Sequence, residues 1–196
     1  MALPEPTDLR EPPADRVREL AELLGAAEVV RWCAEVLSGR TPFDDPQAPS
    51  LSWLGGAHAA AELARGELVA RGVDYWPRVW AARGLLHVWC PSGAIVAGPA
   101  LVSALGDEAW RVREMAAKVI RRREIGEAAD RLADLVSDPV PRVRAAAVRG
   151  LAVTGEFEHA AALRRALEDP DGTVRKAAGD ALERLSARLD RSLSED

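Results

Sequence analysis

One seven-residue segment occurs in four degraded copies along this chain of 196 residues. Each copy begins with Asp, and the last three copies end in Val-Arg. The copies are residues 74–80, 107–113, 138–144 and 169–175. Their first residues lie 33, 31 and 31 positions apart, and a fixed period of this size is typical of repeat arrays. The period therefore predicts a chain built from small units that stack on their neighbours.

Apolar residues in the last three copies recur both at the repeat period and at helical spacing. Corresponding positions are Val112, Val143 and Val174, then Ala116, Ala147 and Ala178, then Ile120, Leu151 and Leu182. The pattern predicts helix pairs at about residues 95–105 with 110–123, 127–137 with 141–153, and 157–168 with 172–189. Because one helix pair cannot bury its apolar face alone, the pairs are expected to stack.

The chain before these copies is less regular. Residues 1–13 hold four prolines and are predicted to be a poorly ordered lead-in. Helices are predicted from Ala14 to Gly25 and from about Ala27 to Gly39, followed by a proline-rich loop over residues 41–50. A long helix ending near Gly72 is predicted next, with one face formed by Leu54, Ala57, Ala61, Ala64 and Leu68. Pro77 is predicted to begin a helix that runs to about Trp89, with residues 91–93 stopping it.

The pattern Leu-x-Asp-(x)4-Val-Arg-x-x-Ala-x-x-x-Leu resembles the short HEAT repeats that also occur in phycobilisome-lyase-like proteins. The resemblance covers roughly residues 51–190, closely in copies two to four and loosely in copy one. It implies an all-α fold, a right-handed α-α superhelix (a HEAT-repeat solenoid), here with an N-terminal helical pair. We expect residues 1–50 to form a helical cap plus loop, and residues 51–196 to form an array of about four helix pairs. The family includes scaffolds, lyases, hydroxylases and DNA glycosylases, so the motif implies architecture rather than activity.

The same resemblance implies a structural role for the repeated Asp and Arg. In the family, such an Asp lies in the turn between paired helices, and the Arg six residues later lies in the second helix. The expected ladder consists of Asp107 with Arg113, Asp138 with Arg144, and Asp169 with Arg175. In copy one Trp80 replaces the Arg, so either the ladder ends there or Asp74 is available for another task.

Surface positions on the second helices, together with several tryptophans, suggest a binding face. The candidate partner-binding residues are Trp76, Trp80, Trp110, Arg111, Lys118, Arg121, Arg142 and Arg149. The face is predicted to grade from apolar in copy one (Arg78, Ala81, Leu85, Val88) through basic to mixed in copy four. Two alternatives stay open: the rings could instead cap the core, and the charges could be an ordinary solvated face.

No catalytic, cofactor-binding or metal-binding constellation is predicted. The histidines are His58, His87 and His159, and none is followed by Glu. His87 and Cys90 lack the further partners that a metal site needs, and Cys33 is expected in the core. There is no signal-peptide pattern and no predicted membrane span, so a cytoplasmic, reduced protein is expected, with a composition typical of a GC-rich bacterial gene.

The sequence favours a non-enzymatic scaffold or adaptor that binds a protein or peptide in the concave groove of the array, for example an acidic or amphipathic segment. The alternative is a DNA repair protein resembling the HEAT-repeat glycosylases, with Asp74 and the three candidate tryptophans at the lesion and arginines on phosphates. The formal net charge of -5 disfavours nucleic acid. A chromophore lyase has only the repeat type in its favour, and the oligomeric state is left open.

Overall fold

The computed structural model describes residues 4–43 and 45–190. Within these residues the secondary structure is helical, with eleven α-helices and no β-strand. The chain divides into two compact units, one up to Ala104 and one from Leu105 onward. The predicted all-α class is therefore confirmed, whereas the boundary predicted at residue 50 stays a prediction.

A buried helix organises the first unit. Its helices are α1 (Pro13–Leu24), α2 (Ala26–Leu37), α3 (Ser52–Gly55), α4 (Ala57–Arg65), α5 (Trp76–Gly84) and α6 (Pro91–Ala104). Helix α2 packs against α1, α5 and α6, and it buries seven of its twelve residues. Among these is Cys33, where burial raises the pKa of the thiol to about 12 because a thiolate is poorly solvated in an apolar core. Cys33 is thus a core residue, as the sequence predicted.

The single long helix predicted after the loop is wrong, since α3 and α4 are separate helices with a break at Gly56. Gly56 has a φ of +60°, which is uncommon for any other residue. The break changes the helical phase, so the predicted face is not continuous, although Leu54 and Leu68 at its two ends are buried. The three predicted core alanines are exposed (Ala57, Ala61, Ala64), whereas Ala59 and Glu62 are buried.

A buried arginine explains why the chain breaks there. Arg16 is only 3% exposed, and its guanidinium donates hydrogen bonds to the carbonyl oxygens of Trp53 (3.3 Å), Leu9 (3.3 Å) and Glu11. A Cβ on Gly56 would lie 2.6 Å from the Leu9 oxygen and 2.8 Å from the Arg16 guanidinium carbon. Only glycine leaves room for this contact.

The same contacts hold the proline-rich lead-in against the first unit. In addition to the bonds of Arg16, the indole Nε1 of Trp53 donates to the Pro4 carbonyl oxygen at 3.1 Å. Pro6 is buried. The lead-in was expected to be poorly ordered because of its prolines, and for residues 4–13 this is wrong, while residues 1–3 lie outside the described part.

Two helix ends in this unit also differ from prediction. Helix α5 ends at Gly84 rather than near Trp89, and residues 85–87 form a turn. Pro91 was predicted to stop a helix, but it is the first residue of α6. A proline has no N–H to leave unsatisfied at that position, so it can begin a helix as readily as it prevents one from continuing.

The second unit has the regular form that the period predicted. Its helices are α7 (Trp110–Arg123), α8 (Ala129–Leu135), α9 (Pro141–Thr154), α10 (Ala160–Ala166) and α11 (Gly172–Leu189). Helix α9 packs between α7 and α11, and α8 and α10 lie against α9 and α11 respectively. The repeated valines Val112, Val143 and Val174 are fully buried. The observed bounds of α7, α9 and α11 agree with the predicted ones to within one residue.

The fit around Gly56 gives a stability prediction. Gly56 and Gly66 share a positive φ, but a Cβ on Gly66 would meet nothing within 4 Å. Gly66→Ala should therefore show the backbone strain alone, on the order of 1–3 kcal/mol. Gly56→Ala should lose at least about 1 kcal/mol more, because it also displaces Arg16 from its carbonyl partners. Urea unfolding of both variants measures this difference, and equal losses would show that the Arg16 contact is unimportant.

Candidate functional site

Arginine forks join consecutive turns of the second unit. Arg113 donates through Nε and Nη2 to the two carboxylate oxygens of Asp138, at 2.7 and 3.1 Å. Its Nη1 donates to the Asp107 and Glu108 carbonyl oxygens at 2.8 and 3.0 Å. Arg144 repeats the arrangement one unit later, with Asp169 at 2.6 and 2.8 Å. Each Arg thus bonds the carbonyl of its own Asp and the carboxylate of the next one, and the planar fork suits both.

The aspartates of this ladder also shape the turns themselves. Asp107, Asp138 and Asp169 each accept a hydrogen bond from the backbone N–H two residues later, at 2.8 Å in all three turns. The hydrogen bonds from Arg144 hold the pKa of Asp169 below its usual value. In the last turn Arg175 donates to the Asp169 and Pro170 carbonyl oxygens at 2.7 and 3.0 Å. The ladder keeps α7, α9 and α11 in register.

A groove of about 410 Å³ lies on these three helices. Its walls come from α7, α9 and the start of α11, and the residues that line it are Glu114, Lys118, Arg121, Pro141, Arg142, Ala145, Ala146, Arg149, Asp171 and Thr173. We call this cavity the groove. A smaller cavity of about 190 Å³ shares Arg121 and Arg149 with it. Four cationic side chains and two carboxylates therefore face one cavity.

The charges of the groove are unequally paired. Glu114 is 7% exposed, and its Oε1 accepts hydrogen bonds from Lys118 Nζ at 2.8 Å and from Arg142 Nε at 3.1 Å. Asp171 caps α11 by accepting from the backbone N–H groups of Thr173 and Val174 at 2.7 and 3.3 Å. Within the described residues, Arg121 and Arg149 have no ion pair. The groove consequently carries excess positive charge at Arg121 and Arg149.

Trp110 lies beside the Arg142 end of this cavity. The Arg111 guanidinium carbon is 4.4 Å from the Trp110 ring centroid, and that of Arg142 is 5.4 Å away. Both distances fall within the range of cation–π attraction. The indole therefore lies within cation–π distance of one arginine on α7 and one on α9.

Comparison with known proteins agrees with this repeated architecture. Two overlapping segments, residues 64–152 and 98–183, match the family model described as HEAT repeats, and together they span more than half of the chain. The chain belongs to the HEAT-repeat family. A crystal structure of an engineered protein has the same fold, with a TM-score of 0.54 and 18% identity over 92% of this chain and 87% of that one. No curated protein matches.

The candidate partner-binding residues of the second unit lie together. Lys118, Arg121, Arg142 and Arg149 all line the groove, Trp110 adjoins it through its contact with Arg142, and Arg111 lies over the Trp110 ring. Their identification as partner-binding residues stays a prediction. Sequence reasoning missed the role of Glu114 in pairing two of the cations, although its i, i+4 spacing from Lys118 was a readable signal. It also missed Asp171, whose place before a helix start was a second signal.

Trp76 and Trp80 lie in the first unit, where Trp80 is a core residue and Trp76 is half-buried. Trp80 is 1% exposed and stacks on Trp76, with ring centroids 5.9 Å apart. The edge of His58 contacts both rings, at 4.8 and 5.3 Å between centroids. A Cβ on Gly55 would come within 2.9 Å of the Trp80 ring, so the indole fills the space that this glycine leaves. The prediction that Trp80 binds a partner is therefore wrong, because a partner could not reach the buried ring.

The apolar face predicted for copy one is also wrong as an exposed surface. Ala81 and Leu85 are fully buried, and Val88 is 5% exposed. Ala81 lies on α5, which packs against α2 and α3, and Leu85 and Val88 follow the end of that helix. These three residues therefore do not form the apolar end of the predicted gradient.

His159 and Cys90, which the sequence singled out, have hydrogen-bond partners within their own units. The Nδ1 atom of His159 accepts a hydrogen bond from the Glu156 backbone at 2.9 Å, and Nε2 lies 3.1 Å from Asp130 Oδ1. Cys90 Sγ accepts from the backbone N–H of Gly93 at 3.3 Å. In residues 4–43 and 45–190, no group of three or more His, Cys, Asp or Glu side chains is placed to hold a metal ion. The helices of this part of the chain are too short or too polar to cross a bilayer.

The ladder predicts a pH-dependent loss of stability. Arg144→Gln removes the fork that joins two turns and should lower the free energy of unfolding by about 2–3 kcal/mol at pH 7. Because the folded-state pKa of Asp169 is lowered, its contribution is present above the unfolded value near 4 and is lost as the pH falls through the folded value.

Urea unfolding followed by circular dichroism at pH 7, 5 and 3 tests this. The difference between wild type and Arg144→Gln should be constant from pH 7 to 5 and should shrink at pH 3. Arg131→Gln, on the exposed face of α8, is the control and should change stability by less than about 0.5 kcal/mol. A difference that persists unchanged at pH 3 would contradict the role given to the Asp169 carboxylate.

Proposed function

We propose that this HEAT-repeat protein is a non-enzymatic scaffold that binds an acidic segment of a partner protein in the groove on α7, α9 and α11. The observation that carries the proposal is the charge of the groove. Four cationic side chains face two carboxylates, and two of the cations have no ion pair within the described residues. Carboxylates of a partner would complement this excess, and such complementarity favours both selectivity and rapid association.

The composition around the groove supports a protein partner. Trp110 and the arginines beside it are residue types that concentrate binding energy at protein interfaces. Small side chains, Ala145 and Ala146, lie between the charged residues and leave room for a peptide backbone or an apolar side chain. A segment that alternates acidic and small apolar residues would match both features.

Nucleic acid fits the same surface less well. Glu114 and Asp171 add negative charge inside the groove, and the chain carries a formal net charge of -5. Proteins bind a phosphate backbone tightly when many Lys and Arg side chains displace the counterions bound to it. A short groove with built-in carboxylates offers few such side chains. The glycosylase hypothesis also counts Trp80 among the candidate rings at a lesion, and that ring is buried. A cytoplasmic location is part of this proposal, in keeping with free cysteines at Cys33 and Cys90.

Fluorescence anisotropy with labelled peptides tests the proposal. A 14-residue peptide of alternating Glu and Ala should bind, the Gln analogue should bind at least about ten-fold more weakly, and the Lys analogue should not bind. Affinity for the Glu peptide should fall as salt is raised, because the attraction is electrostatic. Duplex DNA of similar length serves as a competing ligand, and tighter binding to DNA would support the nucleic-acid alternative instead.

A pair of charge-matched variants locates the binding site. The groove variant replaces Lys118, Arg121, Arg142 and Arg149 with Gln, and the control variant replaces Lys176, Arg122, Arg131 and Arg165. The control residues are exposed and lie outside the groove lining, and each set contains one Lys and three Arg. The groove variant should abolish binding of the Glu peptide, while the control keeps it within about two-fold. Equal losses in both variants would overturn the proposal.

A further inference from the structure

Glu114 makes the two ends of the groove chemically different. Its carboxylate is almost fully buried beneath the groove surface, and it accepts hydrogen bonds from both Lys118 and Arg142. A buried carboxylate without partners is strongly disfavoured, so these two cations are engaged before any ligand arrives. Lys118 and Arg142 can therefore donate to an incoming carboxylate only if they break their hydrogen bonds to Glu114.

Arg121 and Arg149 are in a different state. Within residues 4–43 and 45–190 the Arg121 side chain has neither a hydrogen bond nor an ion pair, and the Arg149 side chain has one bond at 3.5 Å, from Nη1 to the Ala145 carbonyl oxygen of its own helix. Both line the groove and the smaller cavity that adjoins it. Their guanidinium groups can turn toward a ligand without breaking an ion pair.

We propose that Arg121 and Arg149 form the anchoring subsite for a carboxylate side chain of the partner segment, and that Glu114 determines specificity by engaging Lys118 and Arg142. This inference rests on the proposed function, because it assumes that an acidic segment enters the groove. It adds that the site selects for a negative charge at the Arg121–Arg149 end rather than along its whole length. At the other end, beside Trp110, Lys118 and Arg142 are already engaged by Glu114, which lowers their combined charge from two to one.

Small side chains near the subsite fit this assignment. Ala145 and Ala146 line the groove, and Ala177 and Ala181 line the adjoining cavity together with the charged residues Asp180 and Arg184. Small residues let the partner backbone approach closely, so that a Glu or Asp side chain reaches both guanidinium groups. Arginine forks favour such carboxylate contacts.

The affinities of single-substitution variants for the Glu peptide test whether the two pairs of cations have different roles. Arg121→Gln and Arg149→Gln should each weaken binding about five-fold or more, whereas Lys118→Gln and Arg142→Gln should change it less than about two-fold. All four variants remove one positive charge from the groove, so long-range attraction is matched among them. Only a difference in direct contact would separate the two pairs.

Glu114→Gln provides a second, independent readout. The substitution keeps the shape of the side chain and releases Lys118 and Arg142, so affinity for the Glu peptide should rise about ten-fold and its salt dependence should become steeper. In this background Arg142→Gln should then weaken binding about five-fold, although it does little in the wild type. Circular dichroism melting curves establish that each variant is folded.

The outcomes distinguish the inference from the proposed function. If the Glu peptide binds and all four single variants weaken it equally, or Glu114→Gln leaves affinity unchanged, the subsite assignment is wrong while the groove remains the binding site. If the Glu peptide binds neither wild type nor Glu114→Gln, both the proposed function and the inference are overturned. Five-fold effects confined to Arg121 and Arg149 support the inference.

Discussion

The arginine fork between consecutive turns is the interaction on which the second unit depends. Arg113 and Arg144 each satisfy the carbonyls of their own turn and the carboxylate of the next one. The bond passes from one repeat to the next, so it fixes the spacing of the helices as well as each turn. Because the carboxylates are largely buried, they need a partner, and the fork supplies it with fixed geometry.

Once the register of α7, α9 and α11 is fixed, side chains at equivalent repeat positions face one surface. Arginines therefore serve two purposes in the same short array. Those that follow the repeated valines are used in the ladder, while Arg121 and Arg149 lie at the groove. An acidic protein can in this way carry a locally basic surface, and Glu114 limits how much of that surface is available to a ligand.

The sequence predicted the second unit closely because each repeat confirms the next. The repeated Asp marks each turn, the Val-Arg pair marks the following helix, and the period places the remaining helices. Prediction from the sequence failed around Gly56, because the break there depends on Arg16. That residue lies forty positions earlier, and its side chain fills the space next to the glycine. Burial of Trp80 likewise depends on its contacts with Gly55 and His58, which no local pattern encodes. Pairing of the groove cations required knowing that Arg142 of one repeat reaches Glu114 of another.

NMR spectra of the arginine Nε–H groups test the central claim, which is that ladder and groove arginines have separate roles. The Nε–H groups of Arg113 and Arg144 donate to carboxylates at 2.7 and 2.6 Å and should exchange slowly with water. Addition of an acidic peptide should leave these two signals in place and shift those of Arg121 and Arg149. Movement of the ladder signals, with the groove signals unchanged, would contradict the account.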